Sequence, residues 1–211
     1  MTCDLVNSVE LSTRFDPEDL AAIISGYQSC CEGIVRQFDG YVARFTGDGL
    51  KAYFGYPHAN EYDPERAVRA GLALISAVSD LELRPGLVLS TRVGIATGDV
   101  VVGEVIGSGE AQERTVAGET PNLAARLQVL GEPDSVVIAD TTKRLIGRLF
   151  EYADLGRNSL KGFPEPMQAW RVVAEGPTGS HFEAVRGESS LSPLVGRDEE
   201  LALLRHRWLQ A

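Results

Sequence analysis

Apolar residues recur along this chain with two periods, and the switches between them mark its elements. Leu20, Ile23, Ile24, Tyr27, Cys31, Ile34, Val35 and Phe38 fall at helical spacing. Ahead of them stands Asp16-Pro17-Glu18-Asp19, an Asp cap with proline at the first helical position and acids suited to the positive helix end. Gly40 closes that helix. Asp63-Pro64-Glu65 repeats the start signal, and Ala67, Val68, Gly71, Leu72, Ile75 and Val78 give a second buried stripe. A third helix is predicted from Thr120-Pro121 to Gly131-Glu132-Pro133, with Leu123, Ala124, Leu127 and Leu130 as its stripe. Residues 141–146 read as a short fourth helix.

Alternation with period two predicts the strands. Two aromatic-rich runs flank Gly47-Asp48-Gly49, and Asp-Gly between such runs is a strong hairpin signal. Residues 1–6 read as the end of a strand. Leu87, Leu89, Thr91, Val93 and Ile95 alternate, and Gly98-Asp99 is expected to turn the chain into a second hairpin over 100–106, followed by a polar arm at 107–112. Residues 135–139, 150–155 and 167–173 complete the strands. The order predicts an α+β fold: a ferredoxin-like, antiparallel-rich sheet with helices packed on one face.

The tight turn lifts Asp48 to a hairpin tip, and Asp4 ends the first apolar run. Taken alone, such a turn more often serves chain reversal than chemistry. Were the two strands neighbours, their carboxylates would meet at one sheet edge, a hard oxygen pair suited to Mg²⁺ carrying a polyphosphate. Asn122 and Arg126 are four apart and share a face of the third helix, beside its apolar stripe. On this helix alone, a solvated polar face explains them as well as ribose and phosphate binding does.

Composition narrows the classes. Thirty acids against 20 Lys and Arg give a net charge of −10, which argues against a nucleic-acid or anionic-membrane partner. Three cysteines, two of them adjacent in a helical pattern, argue against a disulfide framework and for a reducing, cytoplasmic setting. No apolar run reaches the ~18 residues of a membrane span. His58, His181 and His206 have no metal-ligand spacing.

Four motifs now stand in order: Cys3-Asp4-Leu5-Val6-Asn7-Ser8, Phe45-Thr46-Gly47-Asp48-Gly49, Arg92-Val93-Gly94-Ile95-Ala96-Thr97-Gly98, and residues 118–126, Gly-Glu-Thr-Pro-Asn-Leu-Ala-Ala-Arg. Together they resemble class III adenylate/guanylate cyclase catalytic domains, over residues 1–173. Residues 174–193 read as a Gly/Ser/Pro/Glu linker. Residues 194–211 resemble the truncated start of the P-loop ATPase domain that follows many bacterial cyclases.

The resemblance implies a head-to-tail homodimer with composite sites that turns ATP into cyclic AMP. Asp4, Asp48 and the Leu5 carbonyl would hold two Mg²⁺ or Mn²⁺ ions per site, and Arg92 would bind the terminal phosphates. The partner would supply Asn122 for the ribose, Arg126 for charge on the α-phosphate and Lys161 for the β- and γ-phosphates. Arg44 and Thr115 fall where the family reads the purine. Arg44 replaces the usual Lys; Thr115 replaces the usual Asp and is similar to the bicarbonate-responsive subgroup. Neither matches the Glu and Cys pair of guanylate cyclases, so ATP is expected over GTP. Asn7 and Val9 stand where Gly and Thr are usual, and Lys51 where an apolar residue is common; Lys51 reads as a surface residue. With only three residues before Asp4, the opening strand is expected to lose ladder bonds and leave Asp4 near a fraying end. These departures support a second reading, a catalytically silent, dimerising regulatory module. A phosphatase or polymerase fits the Asn122/Arg126 helix less well.

Overall fold

The structure is a computed structural model that describes residues 1–106, 113–176 and 196–210. Its strands are β1 (Thr2–Leu5), β2 (Tyr41–Thr46), β3 (Gly49–Tyr53), β4 (Thr91–Ile95), β5 (Val101–Ile106), β6 (Glu113–Ala117), β7 (Ser135–Ala139), β8 (Phe150–Asn158) and β9 (Met167–Glu175). The helices are α1 (Ser8–Arg14), α2 (Pro17–Gln37), α3 (Asp63–Ser79), α4 (Glu119–Leu130), α5 (Asp140–Ile146) and α6 (Asp198–Trp208). Among the described residues, seven strands form one sheet in the order β2-β3-β1-β4-β7-β9-β8, and β5 pairs with β6 apart from it. Only the β4–β7 pairing in the main sheet is parallel, so the fold is the antiparallel-rich α+β arrangement anticipated.

Alternation along the central strands assigns the two faces. Cys3, Leu5, Leu50, Ala52, Val93, Ile95, Val136 and Ile138 join Ile23, Tyr27, Val35, Val68 and Leu74 in the main core, so α2 and α3 cover this face. The opposite face is layered differently. Val137, Ala139 and Ala169 pack there against Leu123 and Leu127, so α4 forms a second, smaller layer over β7 and β9. A Cβ on Gly94 would stand 2.1 Å from the Ala124 carbonyl oxygen and 2.4 Å from the Gln128 nitrogen, which shows how closely α4 lies on β4.

The local start signals form as read. The Asp16 carboxylate accepts from the Asp19 N–H at 2.9 Å, and Pro17 opens α2. Four features differ from expectation. Helices cover both faces of the sheet rather than one, because the central strands are apolar on both sides and α4 fills the second. Helix α1 was not anticipated. The hairpin expected between 91–95 and 100–106 does not form, because β4 has β1 on one edge and β7 on the other and offers no edge to β5. The opening strand keeps its ladder bonds: β1 lies between β3 and β4, and Met1 exchanges both main-chain hydrogen bonds with Ala52 at 2.9 Å. The arm at 107–112 lies outside the described residues, and so does most of the segment read as a linker.

Candidate active site

Register brings Asp4 and Asp48 together. Thr46 pairs with Gly49 across the β2–β3 hairpin, leaving Gly47-Asp48 as a two-residue turn with Gly47 at φ +60°. Gln28 of α2 donates to the Gly47 carbonyl at 2.8 Å, and the Leu5 N–H donates to the Asp48 carbonyl at 3.2 Å, so the turn is tied to both α2 and β1. On β1, Asp4 lies opposite Gly49 on one side and Arg92 on the other. A Cβ at Gly49 would sit 3.3 Å from the Cys3 carbonyl and 3.6 Å from Asp4 Oδ1, which places that carboxylate oxygen over the start of β3.

The Asp4 carboxyl titrates above its ordinary value, first through burial and next through the negative charge of Asp48. Its Oδ2 lies 3.5 Å from Arg92 Nη2 and 3.4 Å from Gln128 Nε2. Arg92 Nε is buried and, among the described residues, has no hydrogen-bond partner. Beneath the site, the Thr91 hydroxyl donates to the Asp4 carbonyl at 2.9 Å and stands 2.9 Å from the Tyr27 hydroxyl. Thr91 has one proton and spends it on Asp4, so Tyr27 is the donor to Thr91. Cys3 Sγ lies 3.8 Å from Tyr27 at the end of this buried chain.

These groups fit a divalent cation. Two neighbouring carboxylates, with Leu5 main chain at the same edge, form an oxygen donor set, and a cation relieves the repulsion that raises Asp4. An unpartnered guanidinium nitrogen beside them suits a phosphate oxygen. No group of three or more His, Cys, Asp or Glu side chains suited to a metal occurs among the described residues, so the side-chain donors of this site are the two aspartates.

Residues 1–174 match the family described as the adenylate and guanylate cyclase catalytic domain. The chain belongs to this family. Adenylate cyclase 1 of Rhizobium meliloti is 29% identical to the cyclase domain over 179 residues, 82% of this chain and 27% of that protein. The atrial natriuretic peptide receptor 2 of Bos taurus is 30% identical over 183 residues, 83% of this chain and 17% of that protein. The chain therefore spans less than a third of either relative's length. Among solved structures, the adenylyl cyclase CyaB from P. aeruginosa superposes with a TM-score of 0.76 at 29% identity, over 83% of this chain and 93% of that one.

The other expected site residues of the cyclase domain lie apart from the aspartate pair. Asn122 and Arg126 are on the exposed side of α4, where Asn122 Nδ2 approaches the Gly118 carbonyl at 3.5 Å. Arg126 Nε donates to the Lys161 carbonyl at 3.1 Å, which joins α4 to the loop carrying Lys161. No described hydrogen bond or ion pair links this second group to Asp4 or Asp48. Arg44 lies directly opposite Lys51, which pairs with Thr2, so both cations share the sheet face of Asp4. Thr115 falls on β6, and its side chain is outside the described residues.

Asn7 caps α1 with φ 57° and ψ 31°. Glycine adopts that left-handed conformation without strain, and asparagine is among the few other residues that adopt it readily. Val9 is 78% exposed and takes no part in the core. Sequence reasoning missed Gln128. The available signal was a glutamine four residues after Ala124, in register with the buried stripe of α4.

Proposed function

We propose that this domain is an adenylate cyclase that converts ATP to 3′,5′-cyclic AMP and pyrophosphate, working as a head-to-tail homodimer with two composite sites. The observation that carries the reading is the Asp4–Asp48 carboxylate pair beside the unpartnered Nε of Arg92. The other basic groups assigned to the phosphates, Arg126 and Lys161, gather at a separate exposed place, as residues offered to a second copy would.

In this reading Arg92 holds the terminal phosphates and Asn122 orients the ribose. Arg126 meets the charge that grows on the α-phosphate, and Lys161 the β- and γ-phosphates. Mg²⁺ or Mn²⁺ bound by Asp4, Asp48 and the Leu5 carbonyl would lower the pKa of the ribose 3′-hydroxyl and neutralise the departing pyrophosphate. The 3′-hydroxyl gives its proton to solvent and its oxygen bonds to the α-phosphorus, while the bond to the bridging oxygen breaks and its electron pair leaves with pyrophosphate. Arg44 and Thr115 support ATP over GTP as purine readers. A cytoplasmic setting accords with the free cysteines, two of them buried, and with the lack, among the described residues, of a helix long and apolar enough to cross a membrane.

Residues 174–193 are proposed as a linker and residues 194–211 as the opening of a following ATPase domain. The exposed Leu203, Leu204, Trp208 and Leu209, at 54%, 65%, 82% and 85%, support a further partner for α6.

The test is turnover by purified protein with ATP and GTP in parallel, in Mn²⁺ and in Mg²⁺. Cyclic AMP is the expected main product, and Asp48→Ala should lower its rate by about 100-fold or more, since it removes one of two donors in the metal pair. Preference for GTP would overturn the purine assignment. A folded dimer that binds ATP without turnover would instead establish the regulatory-module reading.

A further inference from the structure

We infer that Gln128 is a positioning residue for the Asp4 carboxylate, sorting its two oxygens so that Oδ1 is presented to a divalent cation shared with Asp48. This rests on the metal role proposed for the aspartates. Gln128 is 5% exposed, on the side of α4 where Leu123, Ala124 and Leu127 are buried, a place where an amide needs a reason. Its Nε2 lies 3.4 Å from Asp4 Oδ2, and Arg92 Nη2 lies 3.5 Å from the same oxygen. Oδ1 faces the other way, over Gly49 at the start of β3. Both donors thus converge on one oxygen and make no contact with the other.

The placement is fixed by close packing. A Cβ at Gly94 would stand 2.4 Å from the Gln128 nitrogen and 2.8 Å from its Cβ, so this turn of α4 rests on the β4 backbone one rung from Arg92. The donor's charge also matters. A second cation on Oδ2 would repel the metal, whereas a neutral amide orients the carboxylate without competing for it. Hydrogen bonds from outside the ligand set fix ligand orientation in this way.

The variants are Gln128→Met and Gln128→Leu, which keep a buried apolar-compatible shape and remove the donor. Gln128→Asn keeps the amide but withdraws it by one methylene, and serves if both apolar variants fail to fold. The probe is Mn²⁺ alone, titrated into nucleotide-free protein and followed by electron paramagnetic resonance, with Asp4→Asn as control. Binding about 10-fold weaker than the parent is expected in each variant. In turnover, the half-saturating Mn²⁺ concentration should rise by a similar factor while the KM for ATP at saturating Mn²⁺ holds. Parent-like Mn²⁺ binding in these variants, with loss in Asp4→Asn, would overturn the positioning role alone. A lowered melting temperature and kcat with an unmoved Mn²⁺ requirement would do the same, because a merely structural glutamine behaves that way. Unchanged binding in Asp4→Asn would overturn the metal role and this inference with it.

Discussion

Asp4 and Asp48 carry like charges side by side, and the ionised form of Asp4 is disfavoured further by burial. The sign of the consequence follows from linkage. Between the ordinary carboxylate value of 3.8 and the raised native one, the unfolded chain is ionised at Asp4 while the native carboxyl keeps its proton. This group therefore favours the fold increasingly as pH falls through that window, and weakens the metal-free fold at neutral pH. Asp4→Asn should raise the melting temperature of metal-free protein at pH 7 by about 1–3 °C, a modest figure because solvent reaches this side chain. The gain should shrink toward pH 4, and cyclase turnover should be lost. A lower melting temperature for Asp4→Asn at pH 7, read by calorimetry without divalent metal, would contradict the account.

At the scale of elements, Gly94 is the position that decides how α4 meets the sheet. Its hypothetical Cβ would strike main-chain atoms of Ala124 and Gln128, and these cannot move aside as a side-chain tip can. Gly94→Ala should cost about 3 kcal/mol in urea unfolding, near the upper end for overpacking. It should also raise the Mn²⁺ requirement of turnover by lifting Gln128 away from Asp4. What the sequence made legible was what is local: the Asp16 cap, the proline starts and the Gly47-Asp48 turn. The partner of β4 was not legible, because Val100 to Ile106 is as apolar a run as β7 and only the assembled sheet shows which edge is taken. The grip of Gln128 on Asp4 spans 124 positions, and no local pattern announces it. Likewise, Asn7 read only as a departure until its positive φ showed what the position requires.

At the scale of the molecule, the separation of the aspartate pair from Arg126 and Lys161 makes a mixing experiment decisive. Asp48→Asn and Arg126→Ala should each be nearly inactive alone. Co-expressed, half of a random population would be mixed dimers with one intact site of two, so about a quarter of parental cyclic AMP production should return. No recovery, with heterodimers verified, would sink the composite-site proposal. Helix α4 gains a further significance here. Its buried side holds Asp4 through Gln128, while its exposed side carries Asn122 and Arg126, and its seat on Gly94 leaves no slack between them. In a head-to-tail pair it would work as a rocker seated on that glycine, with one side turned to each site. The two sites would then keep time with each other, and a tilt imposed from outside the domain would retune both at once.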